Sequence, residues 1–104
     1  MDRTLTALAD PTRRRLLDRV SRRALRASDV GRGLPMSRPA VSKHLRILRE
    51  AGLVEPVPRG REVRYRLARR GAAVEELRRY VERMSETWDR ALAAFKAFAE
   101  QEDG

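Results

Sequence analysis

Residues 37–52 of the chain read SRPAVSKHLRILREAG and carry the signals of one short helix. Ser37 is a typical helix N-cap, and Gly52 is typical of the position where a helix stops. Three aliphatic residues between them recur three and four positions apart, which is the spacing of one helix face: Val41, Leu45 and Leu48. The sequence therefore predicts an amphipathic helix that ends just before Gly52.

The opposite side of this helix is polar and basic. With 100° per residue and Arg38 at 0°, the aliphatic residues and His44 lie at about 240° to 340°, and a second group lies at about 40° to 140°. The members of that second group are Pro39, Ser42, Lys43 and Arg46. Guanidinium groups bind guanine edges or phosphates, and a hydroxyl binds either. The pattern is that of a DNA major-groove reader, but an ordinary surface helix shows it too, so the flanking segments must decide.

The composition describes a small and strongly basic chain. Its 104 residues suit one domain, and 41% hydrophobic with 38% charged residues indicate a modest core, which a helical chain often completes by dimerising. The net charge is +9. Residues 1–70 hold 19 basic and 7 acidic side chains, a net of +12, whereas residues 71–104 have a net of −3. We therefore expect the first seventy residues to bind a polyanion.

The sequence also argues against several other classes of protein. It has no cysteine, and its one histidine cannot build a zinc site alone. No nucleophile beside a base, phosphate-binding glycine loop or pair of catalytic carboxylates is recognisable, so we expect neither an enzyme nor a metal or other cofactor. No apolar run approaches the roughly 20 residues of a membrane span, and the amino terminus does not resemble a signal peptide. We expect a cytoplasmic protein without a membrane partner.

Two helices are predicted before residue 21. The first covers Thr4–Ala9, with Leu5 and Leu8 on one side. Asp10 as N-cap and Pro11 at the first helical position start the second. The inward residues of the second helix are Leu16, Leu17 and Val20. Four arginines are expected on its outside, either solvated or in contact with a DNA backbone: Arg13, Arg14, Arg15 and Arg19.

A helix-turn-helix is predicted over about residues 27–51. Residues 21–26 form a linker in this interpretation, and a third helix covers residues 27–33. Pro35 stops that helix and favours an extended conformation at Leu34, which makes a tight turn. Helix, short turn and capped helix in this order are the helix-turn-helix pattern.

The hydrophobic period changes after Gly52 and predicts a β-hairpin over residues 54–67. The second strand alternates, with Val63, Tyr65 and Leu67 on one face. The first strand contains two prolines, which are tolerated only at a sheet edge. The basic tip, Arg59-Gly60-Arg61, would reach phosphates or the minor groove if the hairpin is a wing, the alternative being a solvated loop.

Residues 72–101 predict one helix about 45 Å long. Its apolar positions alternate three and four apart in a heptad pattern: Val74, Leu77, Val81, Met84, Trp88, Ala91, Phe95 and Phe98. One small domain cannot cover so long a stripe, so the pattern predicts a homodimer. The expected interface residues are Leu5, Leu8, Val81, Met84, Trp88, Phe95 and Phe98.

Several of these segments resemble the arsenical-resistance repressor (ArsR) family of winged helix-turn-helix regulators. The matching segments are ADPTRR at 9–14, MSRPAVSKHL at 36–45, LREAGLV at 48–54 and GREVRYRL at 60–67. The resemblance implies a mainly α fold with a small β-hairpin, in which a dimer paired through its terminal helices binds a palindromic operator in double-stranded DNA. It matches the base-contacting positions of the family to Arg38, Pro39, Ser42 and Lys43. His44 matches a residue common throughout the family, and its position on the inner flank of the helix favours a structural role over base contact or metal binding.

The resemblance also bears on the effector. Metal-sensing members carry two cysteines at the start of the helix before the turn, where this chain has Arg26 and Ser28. A second common site uses Asp and His on the last helix, which here has no histidine. The resemblance therefore implies a metal-independent member, and the sequence indicates no particular small-molecule effector.

The leading interpretation is a dimeric, sequence-specific transcriptional repressor. The residues expected to hold the DNA backbone are Ser37, Arg46, Arg49, Arg59 and Arg61. One alternative is non-specific nucleic-acid packaging, which predicts no operator preference. The other is a winged helix used only for protein interaction, which predicts negligible DNA affinity.

Overall fold

The computed structural model describes residues 2–103, which are mainly helical with one small sheet. In chain order the elements are α1 (Asp2–Ala9), α2 (Pro11–Arg22), β1 (Leu25–Arg26), α3 (Ala27–Val30), α4 (Arg38–Glu50), β2 (Val54–Arg59), β3 (Glu62–Leu67) and α5 (Ala72–Asp103). The predicted fold class, mainly α with a small hairpin and a long C-terminal helix, is confirmed. The first helix begins two residues before its predicted start.

The capping signals of the sequence mark the starts of α2 and α4. Oδ1 of Asp10 accepts hydrogen bonds from the backbone N–H groups of Thr12 at 2.8 Å and Arg13 at 3.0 Å. Oγ of Ser37 accepts the backbone N–H of Ala40 at 3.2 Å. Each bond satisfies donors that have no partner inside the helix, so both predicted N-caps are confirmed.

Gly52 follows the end of α4 for two physical reasons. Its φ of 78° lies in the left-handed region, which residues with a side chain rarely adopt. The start of α5 also passes close by, and a Cβ on residue 52 would lie 2.8 Å from Cβ of Ala73. Only a glycine fits at position 52, where the chain leaves α4 close to the start of α5.

The third helix is shorter than the 27–33 predicted. It ends at Val30, and Gly31 and Gly33 follow, of which Gly33 has a φ of 81°. The backbone N–H of Leu34 then donates to the carbonyl of Gly31 at 3.1 Å, which closes a turn instead of extending the helix. Two glycines in three residues favour this turn over a further helical turn.

The linker predicted over residues 21–26 is also wrong. Its first two residues complete α2, and its last two form β1, which pairs antiparallel with β3 so that Leu25 lies opposite Tyr65. The sheet therefore has three strands in the order β1-β3-β2. A two-residue strand is too short to display a hydrophobic period, so the sequence carries no signal for it.

The hairpin of β2 and β3 is confirmed. Pro56 and Pro58 lie on β2, an edge strand as the sequence required. Gly60 has a φ of 61° at the tip. Of the predicted inward face, Tyr65 packs against the core, whereas Val63 near the tip is 45% exposed because the hairpin there extends past the core.

The core joins the helix-turn-helix to the elements on either side of it. Its buried residues are Ala7, Leu16, Val20, Val30, Val41, Leu45, Leu48, Ala51, Leu53 and Val54. The inward residues predicted for α4 are all in this cluster, and those predicted for α2 belong to it or, for Leu17, pack against it.

The last helix extends beyond the rest of the molecule. Its 32 residues span about 48 Å at 1.5 Å per residue. The radius of gyration is 18.0 Å, against about 13 Å for a compact domain of this length. Leu77, near the start of α5, packs against the core. Within residues 2–103, none of the helices is both long and apolar enough to cross a membrane.

Candidate nucleic-acid interface

The polar face of α4 is fully presented to solvent. We define this polar face as Arg38, Pro39, Ser42, Lys43 and Arg46, all of which are exposed. The opposite face is buried in the core and holds the helix in place. The structure thus brings the four predicted base-reading residues together on one accessible surface, and their contact with DNA stays a prediction.

The cations of this region have no acidic partners among the described residues. The six concerned are Arg38, Lys43, Arg46, Arg49, Arg59 and Arg61, and all are exposed. Arginines farther along the sheet differ, since Arg66 pairs with Glu55 at 2.6 Å. A phosphate that approaches α4 or the hairpin tip would therefore displace no carboxylate. The surface of α4 and the hairpin tip is therefore suited to anions.

The amino end of α4 adds further groups that suit an anion. Ser37 is exposed, and its Oγ uses a lone pair for the N-cap, which leaves its O–H able to donate to a phosphate. The aligned peptide dipoles of α4 also place partial positive charge at this end of the helix. The predicted backbone role of Ser37 is compatible with its capping bond.

Arg13 connects three helices and is not on the outside of α2, where the sequence placed it. Its Nε donates to the carbonyl of Ala7 at 2.8 Å, and its Nη2 to the carbonyl of Thr6 at 3.1 Å. Its Nη1 lies 3.3 Å from Nδ1 of His44 and 3.8 Å from Oδ2 of Asp10. One half-buried guanidinium thus ties the end of α1 and the start of α2 to the middle of α4.

Two other arginines of α2 also bind backbone carbonyls. Arg14 donates to the last two carbonyls of α1, at 2.8 and 3.1 Å. Arg19 donates to the carbonyls of Val30 at 2.9 Å and Arg32 at 2.6 Å. Carbonyls at helix ends lack partners in their own helix, so these arginines stabilise α1 and α3. The predicted outward row is wrong for Arg13 and Arg19, which are half-buried, whereas Arg15 is exposed.

His44 has a structural contact between α2 and α4. A guanidinium only donates, so Nδ1 of His44 is the acceptor in its 3.3 Å contact with Nη1 of Arg13. The backbone N–H of Arg13 donates to the Asp10 carboxyl and lowers its pKa below the usual range. The N–H of Thr12 and the charge of Arg13 act in the same direction.

The sequence contained a signal for Arg13 that the charge pattern obscured. Arg13 stands three, four and seven positions before Leu16, Leu17 and Val20, which is the spacing of the buried face. An arginine on that face needs acceptors, and the C-terminal carbonyls of α1 supply them.

The predicted dimer face is uncovered along most of α5. Trp88, Phe95 and Phe98 are 55%, 66% and 63% exposed, and Val81 is exposed as well. Met84 is half-buried. The two predicted contributors from α1, Leu5 and Leu8, are half-buried, and Leu8 packs against the core. Large apolar side chains rarely stay in contact with water in so regular a row, so this face suits a partner helix.

Comparison with known proteins identifies the family of the chain. A model described as a helix-turn-helix domain matches residues 8–57. The HTH-type transcriptional regulator Rv2034 of Mycobacterium tuberculosis is 40% identical over 97% of this chain and 90% of its own length. The solved structure of an ArsR-like transcriptional regulator from Rhodococcus sp. RHA1 is 43% identical, covers 94% of this chain and 91% of its own, and superposes with a TM-score of 0.67. The chain belongs to the ArsR family of transcriptional regulators.

Two further ArsR-type comparisons bear on activity and assembly. The transcriptional repressor SdpR of Bacillus subtilis is 33% identical over 64% of this chain and 74% of its own length. A solution structure from Mycobacterium bovis is described as a homodimeric winged helix-turn-helix DNA-binding domain. It is 27% identical, covers 82% of this chain and 77% of its own, and has a TM-score of 0.63. The fold of this chain is thus that of the winged helix-turn-helix regulators.

Arg26, one of the two positions matched to the metal-binding cysteines, has other contacts in this ArsR-family chain. Arg26 donates from Nε to Oδ2 of Asp29 at 3.1 Å and from Nη1 to Oε1 of Glu62 at 3.2 Å. The hydrogen bond and charge of Arg26 lower the pKa of Asp29, and Asp29 in turn raises the pKa of Arg26. Over the described part of the chain, no three His, Asp or Glu side chains are grouped so that they could hold a metal ion.

Proposed function

We propose that the protein is a homodimeric repressor that binds a palindromic operator in double-stranded DNA. The observation that carries this proposal is the set of six exposed cations on α4 and the hairpin tip that pair with none of the described carboxylates. Such a surface matches the charge of a duplex and the width of its major groove. The repressor SdpR and the homodimeric domain from Mycobacterium bovis support the class of activity and the assembly.

Two sets of residues have different roles in the proposed complex. Bases are read in the major groove from the first two turns of α4, by Arg38, Pro39, Ser42 and Lys43. Phosphates are held by Ser37, Arg46, Arg49, Arg59 and Arg61, which fix the orientation of α4 on the duplex. Arginine supplies both kinds of contact because its planar group binds a guanine edge or a phosphate through two parallel hydrogen bonds.

The dimer is formed by the apolar stripe of α5, with Leu5 and Leu8 at its margin. Two copies paired in this way place their α4 helices about 34 Å apart, which is one turn of B-DNA. A two-fold protein then reads a two-fold operator. Because the partner is chromosomal DNA, the proposal places the protein in the cytoplasm and assigns it no catalytic activity.

Selection of binding sites from random DNA tests the proposal directly. The full chain should enrich a palindrome whose half-sites are centred about 10 base pairs apart. A double variant, Arg38→Ala with Lys43→Ala, should enrich no such sequence, whereas Arg83→Ala with Arg90→Ala on α5 removes the same charge and should enrich the parental palindrome. If the parent chain retained DNA without enriching any sequence, the result would favour non-specific nucleic-acid packaging. If it retained no DNA, the result would favour a protein-interaction module.

A further inference from the structure

A basic cavity lies on the side of the molecule formed by the end of α2 and the end of β3. Its volume is about 570 Å³, within the range of small-molecule sites. Its basic lining consists of Arg22, Arg23, Arg66, Arg69 and Arg70. Its apolar lining includes Val20, a buried core residue, together with Ala24 and Leu67. The cavity therefore combines an apolar floor with a cationic rim.

Most of this positive charge is not neutralised within the chain. Among the residues that the structure describes, Glu55 is the one carboxylate that lines the cavity, and it pairs with Arg66 at 2.6 Å. Arg22 pairs with Asp18 at 3.4 Å. The other three arginines of the lining form no salt bridge with any residue that the structure describes: Arg23, Arg69 and Arg70. Three like charges around one concave surface repel each other, and an anion between them would remove that repulsion.

We infer that this cavity binds a phosphate-bearing small molecule of about nucleotide size. Guanidinium groups bind phosphate oxygens through paired, charge-assisted hydrogen bonds, and they also stack on flat rings. The floor offers apolar area for the organic part of such a ligand. The three unpaired arginines supply the contacts for its phosphates.

The position of the cavity favours a small molecule over the DNA duplex. In the register of the hairpin, Val54 lies opposite Leu67 at the cavity end, and Arg59 lies opposite Glu62 at the tip. At about 3.3 Å per residue, Arg66 is roughly 13 Å from Glu62 along the strand. The chain passes from the carboxyl end of α4 into the end of β2 that borders the cavity. The polar face of α4 begins at the opposite, amino end of that helix and therefore lies far from the cavity. The inference goes beyond the proposed function, and it is tested without DNA.

Titration calorimetry on the 104-residue chain tests this site. The probes are ATP, inorganic tripolyphosphate and adenosine, each at about 150 mM salt. We expect both triphosphates to bind, ATP more tightly because of the apolar floor, and adenosine to bind negligibly. Arg69→Gln with Arg70→Gln should weaken triphosphate binding about tenfold or more. Arg83→Gln with Arg90→Gln, which removes the same charge from α5, should change it less than about twofold.

Three results would overturn the inference. The first is a parent protein that binds neither triphosphate, and the second is an equal loss of affinity in both double variants, which would reflect net charge alone. The third concerns DNA: if Arg69→Gln with Arg70→Gln flattens the salt dependence of duplex binding, the arginines belong to the DNA interface. Circular dichroism should give the same spectrum for all variants, because the substituted side chains are exposed. Failure of the parent to select an operator would leave the calorimetric result intact, so the two proposals fail separately.

Discussion

Arg38 stands at the first helical position of α4, exposed and without an acidic partner in the described chain. Replacement of Arg38 by alanine should reduce the discrimination between operator and scrambled DNA, because a bidentate contact to a base contributes about 1 to 3 kcal/mol of discrimination. Fluorescence anisotropy with both duplexes at one salt concentration measures this difference. Equal loss of affinity on operator and scrambled DNA would contradict the base-reading role.

Arg61 at the hairpin tip provides the opposite case. Its replacement by alanine should weaken operator and scrambled DNA alike, because a phosphate contact carries no sequence information. The slope of log affinity against log salt should flatten by about one unit for each protomer bound. Titrations at several salt concentrations give this slope, and Arg83→Ala on α5 should leave it unchanged. A sequence-dependent loss for Arg61→Ala would place the tip in contact with bases.

Asp10 makes the stability of the fold depend on pH in the acid range. Its pKa is lowered in the folded protein, so the folded state binds its proton less readily than the unfolded chain. The stabilisation is therefore complete above the unfolded pKa of about 4 and is lost as the pH falls through the folded pKa. Asn also caps helices but does not titrate, so Asp10→Asn should be less stable than the parent at pH 7, with a gap that closes towards pH 3.

Urea unfolding of both proteins at these two pH values measures that gap. A constant difference in unfolding free energy would mean that the Asp10 charge makes no contribution. The carboxyls of Asp29 and Glu75 also have lowered pKa values, which result chiefly from hydrogen bonds with Arg26 and Arg78. They titrate equally in both proteins, so the comparison cancels their effect.

At the residue scale, the sequence predicted the exposure of side chains better than their hydrogen-bond partners. The angles at 100° per residue place Arg38, Ser42 and Lys43 on the exposed side of α4, because the spacing of apolar residues determines which face of an amphipathic helix is buried. The charge of Arg13 and Arg19 predicts an outward position on α2 as well, because charged side chains are mostly exposed. The spacing of Arg13 to the buried residues of α2 indicates the inward face, but the acceptors of both arginines are carbonyls of α1 and of the α3 region, which only tertiary packing brings within reach.

Among the elements of the fold, α5 is the one whose exposed apolar side chains argue most directly for a partner. Replacement of Phe95 by glutamate should convert a dimer into a monomer at micromolar concentration, because it places a charge in the centre of the proposed apolar contact. Helicity should persist, since Phe95 is 66% exposed in the single chain. Sedimentation velocity measures the change. Ala97→Glu, which adds the same charge to an exposed position off the stripe, should stay dimeric.

A parent chain that sediments as a monomer at micromolar concentration would overturn the interface. Equal behaviour of the Phe95→Glu and Ala97→Glu variants would do the same, since it would show that position on the stripe has no influence.

Elements with many repeats of a hydrophobic period, or with a strong N-cap, were predictable from the sequence, and short elements were not. α4 and α5 carry several turns of regular spacing, and β3 alternates over six residues. α3 has four residues and β1 has two, too few to show any period. Their extents are set by contacts with other parts of the chain: Tyr65 and Arg64 pair with β1, and Arg19 binds the carbonyl that ends α3.

For the whole molecule, the proposed spacing of the two α4 helices in the dimer predicts how the affinity for an operator changes when base pairs are inserted. Five extra base pairs between the half-sites turn one half-site to the opposite side of the duplex. Affinity should fall to about that of a single half-site, because a dimer held through α5 cannot rotate one reader alone. Electrophoretic mobility shift on both duplexes measures this fall. An operator with substituted central base pairs but unchanged length should bind as before, and full affinity for the lengthened operator would contradict a rigid dimer.

The prolines of β2 have a consequence for how copies of the molecule meet. An exposed strand normally offers its free N–H and C=O groups to any other strand, which leads to edge-to-edge aggregation. Pro56 and Pro58 stand two positions apart, so the donors they lack would both lie on the same side of β2, and the intact ladder with β3 means that this is the open side. Sheet extension between molecules along β2 is therefore disfavoured, which agrees with the proposal that copies associate through the side chains of α5.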